Sequence, residues 1–411
     1  MARAAATTSS SELAARFAAL DAWLGEHTTV WQHRPFVALP APWEATHPEV
    51  AEHLRAADEA RVADLEEEVE AAWASTPARL RAWRDEGVAL AQLPALAEAR
   101  VRLDERWARG VPGRKRAQIV AFAAAVRERA RPAQWVDWCA GKGHLGRALG
   151  VLDGPALTFV ERQAPLARAA AERARASGLV ASAIVTDVLA AAPSLPESAG
   201  LVALHACGAL SDAAILAATR AGSPQIAIAP CCFHYHPGAD ALPLRSTLGR
   251  RSSLAARGLT SQALRFATAE EVAAPGRRRR QRSREEAFRL ALDQLLRETT
   301  GEDRYHHVPP VPRPWLALGF EGWLQRVAAL HRLRLPARFD VASLERRGEA
   351  RAAEARALAV ARIPFRRPLE IWYLLDRALW LAELGHAVTL EPFCARRDTP
   401  RNVLLHGARC R

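Results

Sequence analysis

Lysine is nearly missing from this sequence. Lys115 and Lys142 stand alone, so 55 of the 57 basic residues are arginine. With abundant alanine, that skew marks GC-rich coding, and an arginine at any one place is weak evidence for a phosphate-gripping fork. The net sign survives that objection. Asp and Glu number 45, the formal charge is +12 and the pI is about 10.5. Clustered positive charge favours an anionic partner, nucleic acid first among them. Cysteine is also scarce: six in 411 residues, two of them adjacent at Cys231-Cys232, which excludes a disulfide scaffold and implies reduced thiols. No apolar run approaches the ~20 residues of a membrane span. The start, Arg3 followed by an Ala/Thr/Ser stretch, lacks the compact apolar segment of a secretory leader. A cytoplasmic protein with no membrane partner is expected.

The chain organises into stretches of different period. From about Pro48 to Leu103, apolar residues recur at helical spacing (Val50, Leu54, Val62, Leu65, Val69, Trp73), and the acidic run Asp64 to Glu68 reads as a solvated helix face. Residues 1–115 are thus expected to be an N-terminal helical region. Gly110 to Arg114 breaks the pattern, and a helix is expected from Ala117 to Arg129. Short apolar strands follow at Gln134–Asp137, Leu157–Glu161, Ala183–Asp187, Leu201–His205 and Ile226–Pro230, alternating with Ala-rich helices. Strands alternating with helices predict an α/β fold with a parallel, Rossmann-like sheet over residues 116–236. Residues 237–367 read as a basic helical insertion with Arg-rich and Pro-rich connectors. Residues 368–411, a helix and two β-like runs, complete the core.

The first strand runs into Asp137-Trp138-Cys139-Ala140-Gly141-Lys142-Gly143-His144-Leu145-Gly146. Gly141-x-Gly143-x-x-Gly146 between a strand and a helix is formally the dinucleotide fingerprint. Alone that match is weak. Asp137 changes its meaning, because an acid at the strand end opposes a pyrophosphate but suits the ammonium of S-adenosylmethionine. Glu161 ends the second strand, where a carboxylate can accept both ribose hydroxyls, and Asp187 ends the third, within reach of an adenine amino group. Acids at strand ends are individually ordinary as turn formers and caps; three in succession favour the sulfonium cofactor over NAD. Candidate cofactor residues are Asp137, Cys139, Ala140, Gly141, Gly143, His144, Leu145, Glu161, Asp187 and His205.

The fourth strand leads into His205-Ala206-Cys207-Gly208-Ala209-Leu210-Ser211-Asp212, and the fifth into Pro230-Cys231-Cys232-Phe233-His234-Tyr235-His236. With the loop at Asp137, these runs resemble a branch of class I methyltransferase-like proteins that includes the glutathione S-transferase C-terminal domain-containing protein. More distantly, they are similar to the eukaryotic tRNA 2′-O-methyltransferases of the acceptor stem. Leu369 to Ala378 and Thr399 to Asn402 share the resemblance, which covers about 117–236 and 368–407. It implies the class I fold and S-adenosylmethionine, and says little about substrate. Cys139 departs from the wider pattern, in which the first loop glycine stands there.

In a class I sheet the first, fourth and fifth strands adjoin, so Cys139, Cys207, Cys231, Cys232, His205 and His234 should converge at one edge. Tight packing by small polarisable thiols is one reading. A zinc or iron site is another, against which adjacent cysteines lack ordinary knuckle spacing. A third is covalent catalysis, with Cys207 or Cys231 attacking a pyrimidine. His205, His234 or Asp212 can orient or deprotonate an acceptor. No Asp/Asn-Pro-Pro-aromatic run follows the fourth strand, and two lysines cannot build a Lys-Asp-Lys-Glu tetrad, which disfavours two common acceptor sites. The candidate catalytic residues are His205, Cys207, Asp212, Cys231 and His234, with no metal assigned.

Arg277 to Arg284 carries six more arginines, and Trp315, Phe320 and Trp323 offer either stacking surfaces or core. The expected function is methyl transfer from S-adenosylmethionine, to RNA as the leading partner. A small-molecule acceptor, an NAD-linked oxidoreductase and a non-catalytic RNA-binding protein of the same fold are the alternatives.

Overall fold

The computed structural model describes residues 8–95, 101–129, 131–268 and 276–410; the side chains of 105–106, 114 and 276–279 lie outside that description. The chain divides into two compact units. One comprises Met1–Glu26, Val88–Glu270 and Arg366–Arg411, the other His27–Gly87 and Glu271–Phe365. Among the described residues no helix is long and apolar enough to cross a membrane.

The first unit is built on one sheet. Its strands are β1 (Gln134–Trp138), β2 (Ala156–Glu161), β3 (Ala181–Val185), β4 (Gly200–Leu204), β5 (Gln225–Ala229), β6 (His386–Pro392) and β7 (Val403–Arg409), in the order β3-β2-β1-β4-β5-β7-β6. β1 to β5 pair in parallel, and β7 runs antiparallel to both β5 and β6. β1, β4 and β5 are buried along almost their whole length, which explains their continuous apolar runs: a parallel sheet has both faces covered. The covering helices are α1 (Ser10–Glu26), α2 (Gly113–Arg129), α3 (His144–Asp153), α4 (Ala164–Ala176), α5 (Ala209–Arg220) and α6 (Arg366–Glu383).

Small residues bring these helices close to the strands. α4 buries Ala167, Ala170, Ala171 and Ala174, a helical stripe without bulk. On α3, a Cβ at Gly146 would stand 2.6 Å from the Phe159 ring, so the third fingerprint glycine lets the helix lie against β2. α6 is buried from Pro368 to Leu381, and α1 docks on it. Phe17 stacks on Trp372 at 5.6 Å, while buried Asp21 accepts the Trp372 Nε1–H (3.1 Å) and the Ser253 N–H (2.7 Å).

The second unit is helical. Helices Gly276–Thr300, Gly319–His331 and Val341–Ala359 enclose Phe288, Leu292, Phe320, Trp323, Leu324 and Leu344. Phe320 and Trp323 are therefore core, and only Trp315 of the three aromatics is partly open, with Arg326 over its ring at 5.7 Å. The arginine-rich stretch expected as a connector is instead the first turns of helix Gly276–Thr300. Arginine's good helix propensity accounts for this, even though cations oppose the dipole at that end. Arg280, Arg282 and Arg284 are exposed there; Arg282 pairs with Glu286 and Arg284 lies over Phe288. Glu66 of the acidic run is engaged by Arg356 at 2.7 Å, so that face is more than solvated charge.

Candidate active site

β1 delivers Asp137 to the carboxyl edge of the sheet, and the chain then turns sharply under α3. Cys139, Gly141 and Gly143 all take positive φ (54°, 55° and 69°). A Cβ on Gly143 would meet Ala170 Cβ at 2.6 Å, so both conformation and space require glycine. The turn is tied down from β2 by Glu161, whose Oε2 accepts the Gly141 N–H (3.0 Å) and whose Oε1 accepts the Gln163 N–H (3.0 Å). Asp137 Oδ2 accepts the Gly146 N–H at 2.9 Å. Asp137 is buried, and desolvation pushes its carboxyl up to about 7 against the opposing Gly146 hydrogen bond.

His144 opens α3 with both ring nitrogens buried and without a hydrogen-bond partner; burial pushes it down to about 4, so the ring is neutral. Leu145 belongs to the sheet's apolar core. Ala140 N–H binds Val160 O at 3.0 Å, holding the loop to β2. Cys139 is a protonated thiol, pushed up to about 12 chiefly by burial. Asp187 lies two residues beyond β3, half-exposed, accepting the Leu189 N–H (3.1 Å) with Arg162 at 3.9 Å.

The neighbouring strands bring the other candidates in. His205, the first residue past β4, also has positive φ (70°), and its N–H binds Ala229 O at 2.9 Å, extending the β4–β5 pairing. Two non-glycine residues in left-handed conformation at adjacent strand ends are the sort of strain that gathers at working sites. His205 Nε2 bonds Gln118 Oε1 of α2 at 2.9 Å, and because that oxygen only accepts, Nε2 carries the proton. Burial lowers the His205 pKa, so the ring is neutral. Gln118 in turn donates to Asp398 O (2.9 Å). No motif pointed to Gln118: it is an ordinary polar residue on a helix, made relevant only by β4 lying beside β1. Lys115, a turn earlier on α2, also adds its field to Asp137, His144 and His205.

Beyond His205, Gly208 takes φ +50°, and a Cβ there would lie 2.2 Å from Tyr235 O, which accepts the Ala209 N–H. The turns after β4 and β5 are therefore locked together, and three sulfurs meet across them. Cys207 Sγ is 2.7 Å from Cys231 Sγ, which is 3.8 Å from Cys232 Sγ. Hydrogen bonds from Cys207 and Cys231 lower the pKa of the Cys232 thiol. His234 Nδ1 is buried without a hydrogen-bond partner.

Asp212 points elsewhere. Its Oδ1 accepts from Arg377 Nε (3.1 Å), and its Oδ2 from Arg377 Nη2 (3.2 Å) and Arg245 Nε (2.8 Å). Burial opposes ionisation, yet Arg377 and Arg245 hold its carboxyl below the usual range. Arg377 also reaches Asp376 (2.9 Å) and Pro243 O (2.8 Å), so this is a buried ion network joining α5 to α6.

A parallel 3-2-1-4-5 sheet completed by an antiparallel β7 between β5 and β6 is the class I methyltransferase architecture, with its ligand edge at the ends of β1, β2 and β4. Residues 114–236 match the family model described as a methyltransferase domain. No curated protein matches the chain. Among solved structures, a SAM-dependent methyltransferase from Aquifex aeolicus is 15% identical, covering 31% of this chain and 72% of that one, with a TM-score of 0.25. A 16S rRNA methyltransferase in complex with S-adenosyl-L-homocysteine is 15% identical over 48% of this chain and 61% of its own, with a TM-score of 0.21. Coclaurine N-methyltransferase, bound to N-methylheliamine and S-adenosylhomocysteine, is 11% identical over 79% and 91%, with a TM-score of 0.27. Likenesses this faint add nothing to what the strand order already shows.

Proposed function

We propose that this domain transfers a methyl group from S-adenosylmethionine to RNA. The observation that carries the cofactor is Asp137, a buried carboxylate under a turn of three left-handed residues. An acid paying that desolvation cost is best explained by a cation that settles beside it, and the ammonium of the methionine moiety is one. The cofactor supplies an electrophilic methyl on sulfur. Around it, Gly141 and Gly143 let the backbone approach, Glu161 has lone pairs beyond its two backbone donors for the ribose hydroxyls, and Asp187 and the orphaned His144 ring border the loop.

For the acceptor, His205 is held in one tautomer by Gln118, leaving Nδ1 as its acceptor atom, and His234 lies in the turn after β5. Their role is to hold and orient the acceptor, since alignment supplies much of the rate for so reactive a donor. Cys207 and Cys231 engage each other rather than standing free as nucleophiles, and Asp212 braces α5 against α6. RNA as acceptor rests on the net charge of +12 and on the exposed Arg280, Arg282 and Arg284.

The test has two arms. Calorimetry should find S-adenosylhomocysteine binding and no NAD binding; the reverse replaces the methyltransferase reading with an oxidoreductase. Labelled methyl transfer to total RNA from cells lacking the gene, followed by nucleoside analysis, should give a modified nucleoside. Label in small molecules alone moves the acceptor and leaves the donor in place.

A further inference from the structure

The ends of β4 and β5 carry a feature that methyl transfer does not use. The sulfurs of Cys207, Cys231 and Cys232 all lie within 4.8 Å of one another, half-buried at the edge of the sheet. Among the described residues this is the one His/Cys/Asp/Glu group so arranged. Adjacent cysteines lack knuckle spacing along the chain, but here the third thiol comes from the neighbouring strand, and sheet pairing does the work of spacing. The His205 N–H to Ala229 O bond and the Gly208–Tyr235 contact fix the two turns against each other, so the sulfurs meet across a rigid seam.

Cys207 and Cys231 stand 2.7 Å apart, beyond the ~2.05 Å of a disulfide bond, and both sulfurs also lie against His205 O, at 3.2 and 3.8 Å. A tetrahedral zinc ion at ~2.3 Å from each sulfur sets its ligands about 3.8 Å apart. That matches Cys231 and Cys232 at 3.8 Å and asks only that Cys207 open outward.

We propose that Cys207, Cys231 and Cys232 hold one thiophilic divalent ion of the zinc class, with water as the fourth donor. Each thiol gives its proton to solvent as its sulfur–metal bond forms, and no electrons change hands. The site does not depend on the methyl-donor reading.

Cobalt titration of the full-length, reduced protein, freed of metal by chelation, tests this. The expected result is sulfur-to-cobalt charge-transfer absorption saturating at about one ion per chain, displaced by zinc with release of cobalt. Cys231→Ser should weaken binding by more than about tenfold, as should Cys232→Ser, whereas Cys410→Ser, at an exposed site, should bind as the parent does. Absence of charge-transfer absorption in folded parent protein overturns the proposal. So does unchanged binding by Cys231→Ser, or mass spectrometry showing a Cys207–Cys231 disulfide in protein that takes up no metal once reduced.

Discussion

Asp137 is an acid whose folded pKa is raised, to about 7, by burial. The stability it lends is fully present below its ordinary ~3.9 and is lost as pH rises through the folded value. Asp137→Asn keeps an oxygen for the Gly146 N–H but does not titrate. Denaturant melts should therefore show the parent losing stability relative to this variant as pH climbs from about 4 to about 7; parallel curves would rule the assignment out. The same group predicts a pH-dependent ligand. Affinity for S-adenosylhomocysteine should rise as Asp137 ionises, and in Asp137→Asn it should be weaker and flat, by calorimetry between about pH 5.5 and 8. The sequence exposed Asp137 because a strand-end acid before glycines is a local pattern. Gln118 was invisible because its partner, His205, is brought to it by sheet order alone.

At the scale of elements, the five parallel strands were legible to within a residue or two, because β1, β2, β4 and β5 are buried almost throughout and read as continuous apolar runs. β3 ends at Val185, opposite Glu161, the last residue of β2, so Asp187 falls just past the pairing. What joins the elements was not legible. Arg377 and Asp212 are far apart in sequence and both look like surface residues, yet they are buried together between α5 and α6. Arg377→Met should leave Asp212 with Arg245 as its one cation and Asp376 with hydrogen bonds from Arg245 N and Ser246 but no cation, and cost about 3–5 kcal/mol in chemical denaturation. A loss under about 1 kcal/mol would mean the network is dispensable. Gly208→Ala should disturb the seam between the β4 and β5 turns. The left-handed conformation alone costs about 1–3 kcal/mol, and the contact with Tyr235 O adds to it, so metal content and stability should fall together.

Across the whole molecule, the charge is the readable quantity and the division of the chain is not. A net charge of +12 predicts that RNA affinity falls steeply with salt, and that replacing Arg280, Arg282 and Arg284 with Gln flattens the slope of log affinity against log salt by about 2, as counted phosphate contacts are lost. Filter binding that ignores ionic strength would remove RNA as partner. No composition shift announces that Met1–Glu26 belongs with the sheet. It is held there by Asp21 and Phe17, whose partners on α6 lie at the other end of the sequence. The position of β7 carries a consequence for how such a molecule comes into being. β5 waits for an inner neighbour that is synthesised only after the entire second unit, so on the ribosome the sheet stays open along one flank until the final strand emerges. A nascent chain stalled after β5 should expose that flank and be cut by protease at the turn that, in the finished protein, presents Cys231.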